Sequence, residues 1–358
     1  MKICYIFSNF HLSSITGQPA IIYRLAQAAK EQGNQVYIIS NSADDREVFK
    51  EGINYFMLRG EGVFKTYFSN ALRIIGYLRR VDPDIIHVHG YLLSVFISFL
   101  SIFFRARRIY SVCETLEILD PLYRRISCLF LNSSYMNIVS SEFIKNELVK
   151  RGIEEKRITV ARIGLDENFL QETQDIAPVD TDIFFYGDSR TDRGFDVIFR
   201  LAKAMPELKF RVLLRWQTKE CQSYLEEMKR LSNAEVLFYP YTQDLKAYIL
   251  KSRLIVLPYR WMAVRPPLTL IEPMALGACV ITSGMPGNNE IIRDGQNGII
   301  VNFDDLDAVM SKIKLLLQDE AQRSRIGERA AVDIRLLYSA GESAKIFGIY
   351  ALPEKSYG

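Results

Sequence analysis

The chain has 358 residues, of which 49% are apolar and 24% charged, with 20 glycines and 12 prolines. That composition excludes a disordered, collagen-like or disulfide-scaffold protein, and the length suits two domains. The 45 basic and 42 acidic residues give a net charge of +3, too balanced for a dedicated nucleic-acid binder. The balance hides an asymmetry: residues 1–165 carry 21 basic and 15 acidic side chains, and the remainder 24 and 27. A basic front half and a mildly acidic back half point to two domains with different partners. Cys4, Cys113, Cys128, Cys221 and Cys279 are scattered and odd in number. They lack paired spacing, which argues against a metal ribbon or disulfide framework and fits a reducing compartment.

Short apolar runs alternate with helical stretches. Lys2–Phe7 reads as a buried strand, too short for a signal peptide before polar Ser8 and Asn9. Ala20–Gln32 reads as a helix and Gln35–Ser40 as a second strand. Phe64–Arg80 is a basic, aromatic helix, and Asp84–His89 a third strand. Tyr91–Phe104 is almost wholly apolar but shorter than the ~20 residues that a spanning helix needs. Strands follow at Arg108–Val112 and Met136–Val139, with a helix near Glu142–Arg151. The pattern restarts after the loose stretch 171–180, with a strand at Ile183–Tyr186 and a helix at Gly194–Met205. Phe210–Leu214, Glu235–Phe238, Leu254–Pro258, Cys279–Thr282 and Gly298–Val301 continue as strands. Two consecutive strand–helix series predict two α/β, Rossmann-like domains, 1–165 and 166–335, with an amphipathic tail (336–358) returning to the first. Ligands of such sheets bind beyond the carboxyl ends of the strands, so the expected site is the cleft between the domains.

The loop after the first strand contains His11 and Gly17 and leads into a helix, whose positive end suits an anion. It is not a GxGxxG loop, so nicotinamide and flavin are not indicated. The most informative stretch runs from Pro266 to Ser283. A proline pair opens a helix whose first free N–H groups fall near Leu268, Thr269 and Leu270, with Glu272 in its first turns. Amides at a helix start suit a diphosphate, and a carboxylate just inside suits ribose hydroxyls. His87 and His89 share a strand face, and without a third ligand nearby they read as structural. Lys65, Arg73, Arg79, Arg80, Arg105, Arg107, Arg108, Arg124 and Arg125 interleave with aromatics, which reads either as a patch for an anionic membrane or as solvated helix ends.

The block Pro266–Val301 resembles the donor-binding half of GT-B glycosyltransferases, particularly glycosyltransferase family 4. Pro267-Leu268-Thr269-Leu270-Ile271-Glu272-Pro273-Met274-Ala275 and Gly287-Asn288-Asn289-Glu290 are similar to its two signature segments. Pro83-Asp84-Ile85-Ile86-His87-Val88-His89, Ala161-Arg162-Ile163-Gly164-Leu165-Asp166, and Gly187 through Arg193-Gly194 stand in the family's order. The resemblance implies a GT-B arrangement, with acceptor on the front domain and nucleotide-sugar donor on the back. It implies sugar transfer with retention, hexosyltransferase-like, with no cofactor or metal beyond the donor itself. It gives Glu272 the ribose, and gives the 268–270 amides with Arg193 and Arg190 the diphosphate, with Gly17 in the phosphate-facing loop. Cys113 stands where the family carries its active-site His, with Glu114 and His11 beside the acceptor. Val264 replaces a sugar-contacting Glu, and Asp188 replaces a diphosphate-binding Arg. A glycan or lipid-linked acceptor, polysaccharide biosynthesis and a cytoplasmic, peripheral membrane location follow as expectations. The departures leave a second reading open, a catalytically degenerate GT-B partner or regulatory subunit. A sugar-phosphate synthase or nucleotide-sugar epimerase using a soluble acceptor or water stays open as well.

Overall fold

A computed structural model describes residues 1–8, 18–42, 46–60, 62–162, 165, 170, 178–238 and 245–352. The chain divides into two units, Met1–Gly164 with Ser339–Gly358, and Leu165–Tyr338.

The first unit is built on eight strands: β1 (Lys2–Ile6), β2 (Gln35–Ser42), β3 (Arg46–Lys50), β4 (Ile53–Arg59), β5 (Ile85–His89), β6 (Arg107–Val112), β7 (Met136–Val139) and β8 (Ile158–Val160). Their order is β3-β4-β2-β1-β5-β6-β7-β8, and every pairing is parallel except β3 with β4. The central strands are apolar on both faces because helices cover both faces. One layer holds α1 (Gln18–Glu31) and the tail helix. The other holds α2 (Val63–Ser69), α3 (Ala71–Val81), α4 (Tyr91–Leu100), α5 (Pro121–Asn132) and α6 (Glu142–Lys150). The expected single helix Phe64–Arg80 is in fact two. Asn70 separates them in a non-helical conformation, its Nδ2 donating to the Thr66 carbonyl at 2.8 Å.

The second unit has six parallel strands: β9 (Thr181–Asp188), β10 (Phe210–Trp216), β11 (Ala234–Phe238), β12 (Ser252–Leu257), β13 (Val280–Thr282) and β14 (Ile299–Ile300). Their order is β11-β10-β9-β12-β13-β14. Its helices are α7 (Phe195–Ala204), α8 (Gln222–Met228), α9 (Leu245–Leu250), α10 (Leu268–Ala275), α11 (Leu306–Gln318) and α12 (Glu320–Leu337). The last helix, α13 (Ala340–Ala351), joins the first unit, where Ile346, Ile349 and Tyr350 are buried. Strand order reverses between β1 and β5 in one unit and between β9 and β12 in the other. Each reversal opens a crevice at the carboxyl edge, where ligands of open parallel sheets bind.

Candidate functional site

In the second unit, the loops after β9 and β12 are knitted together at that crevice. The Arg260 and Trp261 amides donate to the Asp192 carbonyl at 2.9 and 3.1 Å. The Arg260 guanidinium grips Asp196 at the start of α7 with both nitrogens, at 2.6 and 2.9 Å. Gly194 caps α7 in the left-handed region (φ 77°), packed directly on the Pro258 carbonyl.

Arg193 is held in this framework with most of its side chain buried. Its Nε lies 3.8 Å from Asp188 and 4.0 Å from Asp192, while its buried Nη1 has no hydrogen-bond partner among the described residues. Arg190 reaches the same two carboxylates, at 3.3 Å each. Burial and the neighbouring Arg190 both lower the Arg193 pKa, yet a guanidinium keeps its charge. A buried cation with an open donor is a site for an oxyanion. Sequence position set Asp188 in place of a cation. In space it lies between the two arginines and, with Asp192, balances them.

The start of α10 completes this crevice. The Leu270 and Ile271 amides donate to the Pro267 carbonyl at 3.0 and 3.2 Å, so the Leu270 amide is spent on the helix itself. The amides left over at the helix start are those of Leu268 and Thr269. Pro273, inside the helix, has no N–H to give the Thr269 carbonyl, four residues back. Tyr186, near the end of β9, supplies that bond through its hydroxyl at 2.8 Å, and the same hydroxyl reaches Glu272 Oε2 at 3.4 Å. Tyr259, just after β12, meets Thr269 Oγ1 at 2.5 Å, and burial raises its pKa. Neither tyrosine was marked by a motif; the proline inside the helix was the available signal. Asn288, after β13, is fully buried and neither side-chain polar atom has a partner among the described residues, a further group that sequence reasoning passed over. Trp216 stands exposed at the end of β10.

In the first unit, an open recess of about 230 Å³ lies at the carboxyl ends of β1, β5 and β6. Phe7, Ile22, Leu93 and Leu119 line it, with His89, Tyr91 and Glu114 as titratable members. Burial raises the Glu114 pKa, and no cation among the described residues pairs with it. The Cys113 thiol, in a smaller adjoining pocket, is pushed up to about 12 by burial and by Glu114. It stays protonated at neutral pH, which suits packing and not proton transfer. His87 is fully buried, its Nε2 2.6 Å from Ser111 Oγ and its Nδ1 bonded to the Tyr350 hydroxyl of the tail helix. Burial lowers it to about 3, and burial and His87 together lower His89, which stacks on His87 at 4.6 Å. His11 and Gly17 lie outside the described residues. No three His, Cys, Asp or Glu side chains among the described residues are grouped to hold a metal ion.

Comparison with known proteins bears on both crevices. Residues 15–169 match the family Glycosyltransferase Family 4, and residues 166–333 match Glycosyl transferases group 1. The chain is a GT-B glycosyltransferase resembling family 4. It is 24% identical over 220 residues to the capsular polysaccharide biosynthesis glycosyltransferase CapM of Staphylococcus aureus, covering 57% of each chain. Among solved structures it is similar to sucrose-phosphate synthase from Thermosynechococcus elongatus, with TM-score 0.83 at 16% identity over 98% of both chains. It is also similar to HepE of Anabaena in complex with UDP and glucose, with TM-score 0.78 at 14% identity over 98% of this chain and 100% of that one. The glycosyltransferase thus carries the two Rossmann-like domains of the GT-B fold, and the group 1 match falls within its second unit.

Proposed function

We propose that the protein transfers a sugar from a nucleoside-diphosphate sugar to a glycan or lipid-linked saccharide, with retention and without a bound metal. The observation that carries this reading is the buried Arg193 with its open Nη1, set in the same crevice as the α10 helix start. In this reading the Leu268 and Thr269 amides and Arg193, with Arg190, take the diphosphate, and Glu272 takes the ribose. The bond from the anomeric carbon to the diphosphate oxygen breaks, and the two guanidiniums stabilise the charge left on that oxygen. The acceptor oxygen bonds to the anomeric carbon on the same face, and its proton passes to the departing phosphate. The recess lined by His89 and Glu114 receives the acceptor, with Glu114 as the titratable group beside it. That HepE is described in complex with UDP and glucose supports the donor class, and the capsular role in CapM's name supports a saccharide acceptor. A cytoplasmic site of action at a membrane surface belongs to the same reading.

The test is thermal unfolding against UDP, GDP, ADP, dTDP and their sugars. A ligand at 100 times its dissociation constant stabilises by ~2.7 kcal/mol, a visible shift. A selective shift identifies the donor class. Silence across the panel favours the non-catalytic partner subunit, a reading to which the pairing of Asp188 with both arginines lends weight.

A further inference from the structure

The outer face of the α2–α5 layer is unusual in its charge and its apolar exposure. Residues 63–81, 91–113 and 121–141 contain nine Lys or Arg and not one Asp or Glu. Three of the nine are turned into the fold. Arg107 donates to the Tyr350 and Leu352 carbonyls, Arg124 to those of Leu116 and Leu119, and Arg108 to that of Ser133. Lys65, Arg73, Arg79, Arg80, Arg105 and Arg125 remain exposed, although Arg80 is paired with Glu47 at 2.6 Å and Arg79 donates to the Phe103 carbonyl at 3.2 Å. Among them stand large apolar side chains in water: Leu72 is 84% exposed, Ile102 81% and Leu129 70%, with Phe68, Phe99 and Leu122 also exposed.

These residues belong to neighbouring elements. Phe68 of α2 packs on Phe96 of α4 at 5.1 Å, and Phe99 of α4 on Phe130 of α5 at 4.7 Å. Arg79 of α3 lies over the Phe103 ring in the turn after α4. A soluble surface does not gather this much exposed apolar area within one basic field unless something covers it. Protruding apolar side chains ringed by cations match the acyl boundary and phosphates of an anionic bilayer. No helix among the described residues is long and apolar enough to cross a membrane, so contact would be in the plane of the surface.

We infer that the α2–α5 face docks on an anionic lipid surface, with Leu72, Ile102 and Leu129 entering the acyl boundary and the exposed cations holding lipid phosphates. The inference rests on the membrane-surface reading above, and it adds a route for the acceptor. The recess shares Val63 of α2, Leu92 and Leu93 of α4, and Ile118 and Leu119 just before α5 with this layer. A lipid-linked acceptor can therefore enter it from the bilayer with its tail left in lipid.

The test is co-sedimentation of the full chain with vesicles of phosphatidylcholine alone and with about one third phosphatidylglycerol, at low and high salt. Binding is expected only to the anionic vesicles, released by salt. It should fall by about tenfold or more in the triple variant Leu72→Ser, Ile102→Ser, Leu129→Ser and in the double variant Arg105→Glu, Arg125→Glu. Thermal midpoints and nucleotide-induced shifts of both variants should match the parent, which keeps this test separate from the donor reading. Equal binding to both vesicle types, no binding to either, or parent-like binding by the variants would overturn the inference. So would a concentration-dependent dimer lost in the triple variant without vesicle binding, which would assign the face to a second copy.

Discussion

A Cβ added at Gly194 would lie 2.1 Å from the Pro258 carbonyl oxygen, closer than any such pair can approach. The glycine also sits at φ +77°, where an L side chain is strained. This contact brings the loop bearing Arg193 against the strand that leads to α10, so one glycine sets the depth of the candidate diphosphate crevice. Gly194→Ala should cost about 2–4 kcal/mol by combined strain and clash. Denaturant unfolding measures the loss. A parent-like midpoint with unchanged nucleotide binding would show that the crevice does not depend on this approach.

Arg193 and Asp188 are expected to respond in opposite directions. Arg193→Gln removes a charged donor and should weaken diphosphate binding by about 1.5–3 kcal/mol, ten- to hundredfold. Asp188→Asn removes a carboxylate that competes for both arginines, and it should hold or tighten binding. Titration calorimetry with UDP and the other nucleoside diphosphates compares them. Equal losses in the two variants would mean that the carboxylate organises the arginines instead of competing with the ligand.

Much of this architecture is legible in the sequence. Ile3–Phe7 and Ile183–Tyr186 are continuous apolar runs because parallel strands are covered on both faces, and the helix opened by Pro266 and Pro267 stood out by its cap. The strand Arg46–Lys50 was not read, because an exposed edge strand keeps its charges and shows no apolar run. The break at Asn70 was hidden because aromatic and basic residues continue at helical spacing across it. The pairing of Arg190 and Arg193 with Asp188 and Asp192 was not legible, since a loop of alternating charges gives no clue to which side chains converge. Tyr186 looked like one more core aromatic of β9; only its bond to the carbonyl freed by Pro273 marks it as a support of α10.

That support is testable by itself. Tyr186→Phe leaves the Thr269 carbonyl without its donor and frees the Glu272 carboxylate from the hydroxyl 3.4 Å away. A buried acceptor left unpaired costs about 1–3 kcal/mol. Replacing Pro273 by Ala restores a helical N–H to the same carbonyl, so the double variant Tyr186→Phe, Pro273→Ala should regain most of the stability. Absence of rescue would show that the hydroxyl acts elsewhere.

The recess of the first unit makes a prediction about rate. Burial raises the Glu114 pKa, so its carboxylate should be lost on acidification earlier than that of an ordinary glutamate. If the carboxylate assists the acceptor hydroxyl, kcat/KM falls on the acid side with an apparent pKa above the usual ~4.3. Glu114→Gln removes the charge that orients the acceptor hydroxyl, so it should lower the rate by up to about 10²-fold and abolish that limb, while nucleotide binding stays unchanged. A rate and pH profile matching the parent would remove Glu114 from the chemistry.

His87 joins the tail helix to the sheet, and its burial gives the first unit a defined acid sensitivity. The folded-state pKa is about 3 against a reference of 6.5, so the folded protein refuses a proton that the unfolded chain accepts. The stabilisation tied to neutral His87 is therefore complete above pH 6.5 and is lost as pH falls from there towards 3. One such group gives a slope of ~1.4 kcal/mol per pH unit within that window, or about 2 kcal/mol between pH 6.5 and 5. His89, lowered by burial and by His87, adds in the same direction. His87→Gln keeps hydrogen-bonding capacity towards Ser111 and Tyr350 but cannot titrate. Its unfolding free energy should start lower than the parent's at pH 7.5 and decline less steeply on acidification. Denaturant titrations from pH 7.5 to 5 decide the matter, and parallel curves for variant and parent would show that the sensitivity resides in other groups.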